Sequence, residues 1–232
     1  MIDKNAFRNL SYGLYLISSM KDGRPVGCVV NTFAQVTSDP PQVSIAINKD
    51  NYTTQGILET GMFEVTVLHK DAPMEVIGMF GFHSSKDTDK FADFDTQISS
   101  QGIPYVVDCA CAHFSVKVNQ QLDLGSHMFF VGDVVASEMV GEVEPMTYAY
   151  YHEVKGGRTP KNASSFSTDA LEAEAGSAPV AAPAGEKKTR IGWRCQLCGY
   201  IEFVDELPDD FVCPVCGATR EFFERVEAEV EE

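Results

Sequence analysis

The sequence predicts a mainly β protein in two parts: a closed β-barrel with a few helices, then a small module folded round a metal. Three observations carry this. Apolar, β-branched runs separated by turn signals fill the chain from Met1 to about Phe166. A stretch with almost no large apolar side chain follows, Ser167–Arg190. Two Cys-x-x-Cys-Gly knuckles then stand close together in the remainder, 191–232.

Taken in order, Asp3–Leu10 predicts a short helix capped by Asp3. The runs YGLYLISSM, GCVVNTFAQV, QVSIAIN, MFEVTVL, AHFSVKVNQQL and FFVGDVVASEMV predict strands. KDGR, SDPP, NKDN and DLGS mark turns between them. YTTQGILETG and APMEVIGMFG read as short helices. The stretch 167–190 is rich in Ala, Glu, Pro, Gly and Ser and cannot bury enough surface to fold. It predicts a flexible linker whose rms reach is about 25–30 Å.

Composition excludes some functions. The chain has 232 residues, 44% of them hydrophobic, enough for one or two packed domains. Its net charge is −16 and its pI about 4.6, so nucleic acid and anionic membranes are not expected partners. The N-terminus lacks a basic start with a long apolar run, and no stretch is apolar for long enough to span a bilayer. Seven cysteines, an odd number, and the paired Cys-x-x-Cys spacing point to a reducing cytoplasm and metal binding rather than disulfides.

Cys195, Cys198, Cys213 and Cys216 form C-x2-C-x14-C-x2-C. Four thiolates suit zinc or a single iron, and spacing does not choose between them. Gly199 and Gly217 let the backbone fold tightly round sulfur and aim N–H groups at it. A module this small needs the metal to hold its fold. Trp193, Tyr200, Phe203, Phe211 and Phe222 are available for a small aromatic core.

In the first part, Asn48, Lys49, Asn51 and Thr53 form a polar turn leading into a helix. Such a turn suits a phosphate, or is an ordinary turn with a helix cap. Cys109 and Cys111 are two apart on a strand, as a redox pair or as buried apolar residues. There is no Gly-rich dinucleotide fingerprint.

Both parts resemble known families. WRCQLCGY and LPDDFVCPVCGATREFF resemble the two knuckles of rubredoxins, one-electron carriers with iron on four cysteines. The gap between knuckles is shorter than in free-standing rubredoxins and closer to rubredoxin-like domains fused to other redox proteins. CVVNTFAQVTSDPPQVSIAINKDNYT and FGFHSSKDTDKF resemble the flavin reductase-like family, FMN-binding split barrels that are usually homodimers. That resemblance runs from about Leu10 to Phe166. It implies that Asn31, Thr32, Phe33 and Gln35 line the isoalloxazine of FMN. Asn48, Lys49, Asn51, Thr53, His83, Ser84, Ser85 and Lys90 would then approach its phosphate side. LGSHMFFVGDVV places His127 near the flavin, or as a strand-end histidine bonded to a turn. YYHEVKGGRTPKNASSF, with His152, is similar to the C-terminal stretch of fused members.

The whole arrangement resembles the high-molecular-weight rubredoxin family. It implies an oxidoreductase that takes a hydride from NAD(P)H onto FMN, the nicotinamide stacking directly over the flavin. Single electrons would then pass to the iron–tetrathiolate centre and on to an acceptor such as a flavodiiron protein that reduces nitric oxide or dioxygen. Arg190–Glu232 holds four arginines against eleven acidic residues, a balance of −7 that suits a basic acceptor. Two other classes stay open: a reductase that releases reduced FMN and carries a zinc ribbon as a docking tag, and a non-catalytic adaptor.

Overall fold

The computed structural model describes residues 2–160, 163–165 and 188–230. The chain opens with a 3-10 turn over Lys4–Asn9 where the sequence predicts a capped helix. The Ala6 N–H reaches the Asp3 carbonyl at 3.2 Å, the tighter spacing of that turn. Phe7 and Leu10 are exposed, so no tertiary packing supports a longer helix here.

The strands follow as β1 (Tyr15–Lys21), β2 (Arg24–Val30), β3 (Ala34–Ser38), β4 (Pro41–Asn48), β5 (Met62–Leu68), β6 (Thr96–Ile98), β7 (Pro104–Val106), β8 (Ala110–Asp123) and β9 (His127–Met139). Among the described residues, helices α1 (Tyr52–Thr60) and α2 (Met74–Phe82) interrupt them and α3 (Tyr148–Glu153) follows β9. KDGR makes a two-residue hairpin turn, with Asp22 and Gly23 both at positive φ (50° and 73°), as the twist of the paired strands favours. NKDN starts α1: Asn51 is the N-cap, its carboxamide oxygen accepting from the Thr53 N–H at 3.0 Å.

Seven strands form one antiparallel sheet in the order β2-β1-β5-β8-β9-β4-β3. Cys28 on β2 and Ile45 on β4 stand near opposite ends of that order yet share one apolar core with Ile17, Phe63, Val116 and Phe130. The sheet therefore curls round on itself. The barrel is split rather than closed: β2 and β3 are its edges, and no ladder joins them among the described residues. The run GCVVNTFAQV, read as one strand, breaks at Asn31–Phe33. There the Thr32 hydroxyl donates to the Ala46 carbonyl at 2.7 Å and accepts from the Ala46 N–H at 3.1 Å. A side chain takes over the ladder bonds of β4, and the chain leaves the sheet plane.

A second core lies outside the sheet, where α2 and α3 pack on β1 and β5 through Leu14, Leu16, Leu68, Ile77, Phe80 and Tyr151. The β6–β7 hairpin covers the remaining face. Ser18 Oγ donates to the Pro104 carbonyl and Thr66 Oγ1 to the Val106 carbonyl. Consecutive residues Phe63, Glu64, Val65 and Thr66 are all buried, because β5 is covered on both sides.

Beyond the barrel, β10 (Lys188–Cys195), β11 (Ile201–Glu202) and β12 (Phe223–Val230) make a separate three-stranded sheet in the order β11-β10-β12. The predicted linker lies outside the described residues except for Lys188–Arg190, which begin β10.

Candidate functional site

The two knuckles have the same construction. The Cys195 N–H donates to the Tyr200 carbonyl and Gly199 N–H to the Cys195 carbonyl; Cys213 and Ala218, then Gly217 and Cys213, repeat those bonds at 2.8 and 2.9 Å. Each turn needs a residue at positive φ after the second cysteine, and Gly199 (86°) and Gly217 (72°) supply it. Main-chain N–H groups point at sulfur as expected. Those of Cys198 and Tyr200 serve Cys195 and Cys198; those of Cys216 and Ala218 serve Cys213 and Cys216.

All four sulfurs lie within 4.8 Å of one another. Cys195 and Cys216 are 3.6 Å apart, as are Cys198 and Cys213. A metal–sulfur bond of about 2.3 Å in a tetrahedron puts its ligands about 3.8 Å apart, so the residues fit one tetrathiolate metal. Hydrogen bonding between the sulfurs holds the Cys195 thiol far below its usual range and pushes Cys198 far above it. A cluster of this kind ionises fully only round a cation. Trp193, Tyr200 and Phe211 pack against the buried cluster that holds the cysteines. The fourth aromatic is Phe223, edge-on to Phe211 at 5.2 Å, and not Phe222, which is exposed; alternation along the chain turns one inward and the other out.

The flavin-side residues named from the sequence fall into separate places. Asn31, Asn48, Asn51 and His127 line one cavity. Asn48 and His127 are directly opposed on β4 and β9. Burial lowers the His127 pKa from its usual value, so its ring is neutral at pH 7, with Nδ1 hydrogen-bonded to Ser126 Oγ at 2.9 Å. Apolar walls come from Val29, Ile47 and Ile77, and aromatic ones from Phe82, Tyr148 and Tyr151. The cavity encloses about 90 Å³, and Pro160, Ala163 and Ser164 also line it. Asn31 donates to Ser165 Oγ and accepts from Ser164 Oγ, at 3.0 and 3.2 Å.

Phe33 and Gln35 instead line a second groove of about 360 Å³ with Phe114 and Val135, on β3, β4, β8 and β9. Thr32 is occupied with Ala46, and Thr53 is buried in α1. Lys49, beside the cavity residues in sequence, is paired with Asp123 at 2.6 Å on the surface. Ser84 is exposed and accepts from the Lys86 N–H. Ser85 and Lys90 are buried on β2: Ser85 Oγ exchanges bonds with the Gly27 N–H and carbonyl, and Lys90 Nζ donates to the carbonyls of Gly27 and Phe80. His83 stands beside Gly217 of the second knuckle, its Cε1 3.5 Å from where a Cβ on that glycine would lie. Cys109 and Cys111 are both buried; the Cys111 thiol donates to the Val67 carbonyl.

The metal cluster and the cavity are neighbours. Phe82, at the end of α2, lines the cavity and also packs against the buried cluster that holds the cysteines; Met74, at the start of that helix, packs against the same cluster. Tyr151 lines the cavity too. Burial, then Tyr148 and Cys198, push its phenol pKa up. Sequence reasoning missed Phe82, Tyr148 and Tyr151, because aromatics in apolar runs read as core.

Comparison with known proteins bears on both parts. Residues 7–157 match the flavin reductase like domain family, and residues 193–224 the rubrerythrin, rubredoxin-like domain family. A high molecular weight rubredoxin of Moorella thermoacetica is 37% identical over 97% of this chain and 100% of its own. A ferric-chelate reductase (NAD(P)H) of Archaeoglobus fulgidus is 40% identical over 71% of this chain and 98% of its own. Among solved structures, an NADH:FAD oxidoreductase of Streptomyces globisporus shares the fold at a TM-score of 0.57 and 24% identity. That match covers 62% of this chain and 86% of the other.

Proposed function

The chain belongs to the flavin reductase like family and is an oxidoreductase carrying a rubredoxin-like four-cysteine module, and on that premise we propose that it moves electrons from NAD(P)H through FMN to iron. One observation carries the proposal: Phe82 is shared between the cavity wall and the packing round the cysteines. A flavin takes up a hydride, two electrons together, and a tetrathiolate iron passes electrons singly. The balance is NAD(P)H + 2 Fe(III) → NAD(P)⁺ + H⁺ + 2 Fe(II).

The residues have separable tasks. Cys195, Cys198, Cys213 and Cys216 hold the metal, and Trp193, Tyr200, Phe211 and Phe223 keep water from the sulfurs. Asn31, Asn48 and Asn51 offer amide donors and acceptors to the polar edge of a flavin, and Lys49 a cation for its phosphate. Neutral His127 offers a ring nitrogen at the cavity rim without a charge. A cavity of 90 Å³ is below the range of about 300–1,000 Å³ usual for organic ligands, so lining residues such as Pro160, Ala163 and Ser164 must draw back for a flavin to enter.

The acceptor we propose is a flavodiiron protein reducing nitric oxide or dioxygen, steered by the acidic module. A homodimer is supported by exposed Val135 in the larger groove and by exposed Val36, Leu122 and Met139 elsewhere on strands β3, β8 and β9 of the same sheet. A reducing cytoplasm is supported by seven cysteines free of disulfides. No helix among the described residues is long and apolar enough to cross a membrane.

The test is anaerobic rapid mixing of protein containing flavin and iron with NADH or NADPH, following flavin and ferric absorbance separately. We expect iron reduction to follow flavin reduction at a rate independent of protein concentration. Stoichiometric zinc in protein from iron-replete cells, or iron that never bleaches, overturns the proposal.

A further inference from the structure

Glycine is the poorest helix former after proline, so a glycine inside a helix asks for a local reason. Gly78 lies in the middle of α2 and is buried. A Cβ built on it has Val215 for all three of its nearest neighbours. It falls inside the envelope of the Val215 Cγ1 and carbonyl oxygen, with the carbonyl carbon 2.9 Å away. Those atoms belong to the second knuckle. The side chain is missing where the metal module touches the barrel.

The same seam is built at two other points. A Cβ on Gly199 of the first knuckle would strike the Gly156 carbonyl, just beyond α3. Arg158 Nη1 donates to the carbonyl of Gln196 at 2.7 Å, and Nη2 lies 3.6 Å from Glu224. Val215 is 1% exposed in this seat, whereas Leu197, third in the first knuckle as Val215 is in the second, is 41% exposed.

We propose that α2 and the Gly156–Arg158 turn form a dedicated docking surface for the four-cysteine module of the same chain, with Gly78 as its socket. Electrons then pass from cavity to metal within one chain, by way of Phe82. The seat rests on geometry alone; the passage of electrons rests on the function proposed above.

Gly78→Ala is a selective probe. Alanine favours the helix, and within the barrel nothing stands among the three nearest atoms its Cβ would meet. Arg158→Glu attacks the same seam through charge, without touching α2. Full-length protein with metal and flavin bound is compared by hydrogen–deuterium exchange at 74–82, 156–158 and 213–218, and by anaerobic rapid mixing with NADH. We expect exchange in those segments to quicken at least tenfold in both variants, with metal content and flavin reduction unchanged and metal reduction at least tenfold slower. Unchanged exchange in both variants overturns the seat. Faster exchange with metal reduction at the wild-type rate overturns transfer from the seat within the chain. Wild-type protein that reduces its flavin and never its metal overturns the proposed function, and exchange alone then decides the seat.

Discussion

His113 Nε2 lies 2.8 Å from Glu64 Oε2, and both side chains are buried, Glu64 completely. The carboxylate also accepts from Ser99 Oγ, Ser115 Oγ and Gln101 Nε2, at 2.6, 2.6 and 2.9 Å. Tyr105 stacks on the imidazole at 3.6 Å and donates to Glu138. A buried carboxylate with four partners is affordable only while all four are in place.

Glu64→Leu should therefore destabilise the barrel by about 3–5 kcal/mol, since His113 and both serines lose their shared acceptor. Urea unfolding followed by far-UV circular dichroism measures it. Metal content should not change, because the network stands away from the cysteines.

Lys90 gives a pH signature. Burial lowers its pKa to about 8, against 10.5 unfolded. Between those values the unfolded chain binds the proton and the folded chain does not, so this group makes stability rise with pH. Below about pH 8 both states are protonated and the cost of the buried charge is fully present. Relative to Lys90→Met, the wild type should gain up to about 3 kcal/mol between pH 8 and 10.5. Urea midpoints of both proteins at pH 7.5 and pH 10 check the sign.

Lys49 should tell a phosphate from a hydroxyl. Its present partner is an exposed carboxylate, Asp123, and such a pair is readily exchanged. Lys49→Ala should weaken FMN about tenfold and leave riboflavin nearly unchanged, as for loss of one charge-assisted bond. Fluorescence titration with both flavins reads the difference; equal weakening would remove Lys49 from the phosphate site.

Cys213→Ser removes one of the four sulfurs in the cluster and part of the module's buried core. Metal should be lost, amides of 190–227 should exchange freely, and flavin should remain bound to the barrel. Metal analysis beside a flavin assay shows both at once.

Much of this was legible in the sequence because the signals were local. The ligand set follows from Cys195, Cys198, Cys213 and Cys216 and their glycines, and β1, β4 and β5 follow from apolar runs bounded by turns. What stayed hidden depends on contacts between distant segments. Thr32 breaks a strand only because Ala46 is beside it. Strands β6 and β7, three residues each, carry no period of their own. Gly78 looks like an ordinary helix glycine until Val215 is set against it. Lys90 and Ser85, expected at the phosphate side, are bonded to Gly27 of β2, a pairing of distant segments that no local signal shows.

The near-repeat of the two knuckles has a further consequence. Leu197 and Val215 hold equivalent places, one at the surface and one against α2. A centre with a single greasy lip would have to be filled and emptied through the same opening. This one has two, one pressed to the barrel and one left to solvent. A visiting protein that covered Leu197 would leave Val215 where it is, so on the function proposed above the module could serve an acceptor while the chain stays folded on itself.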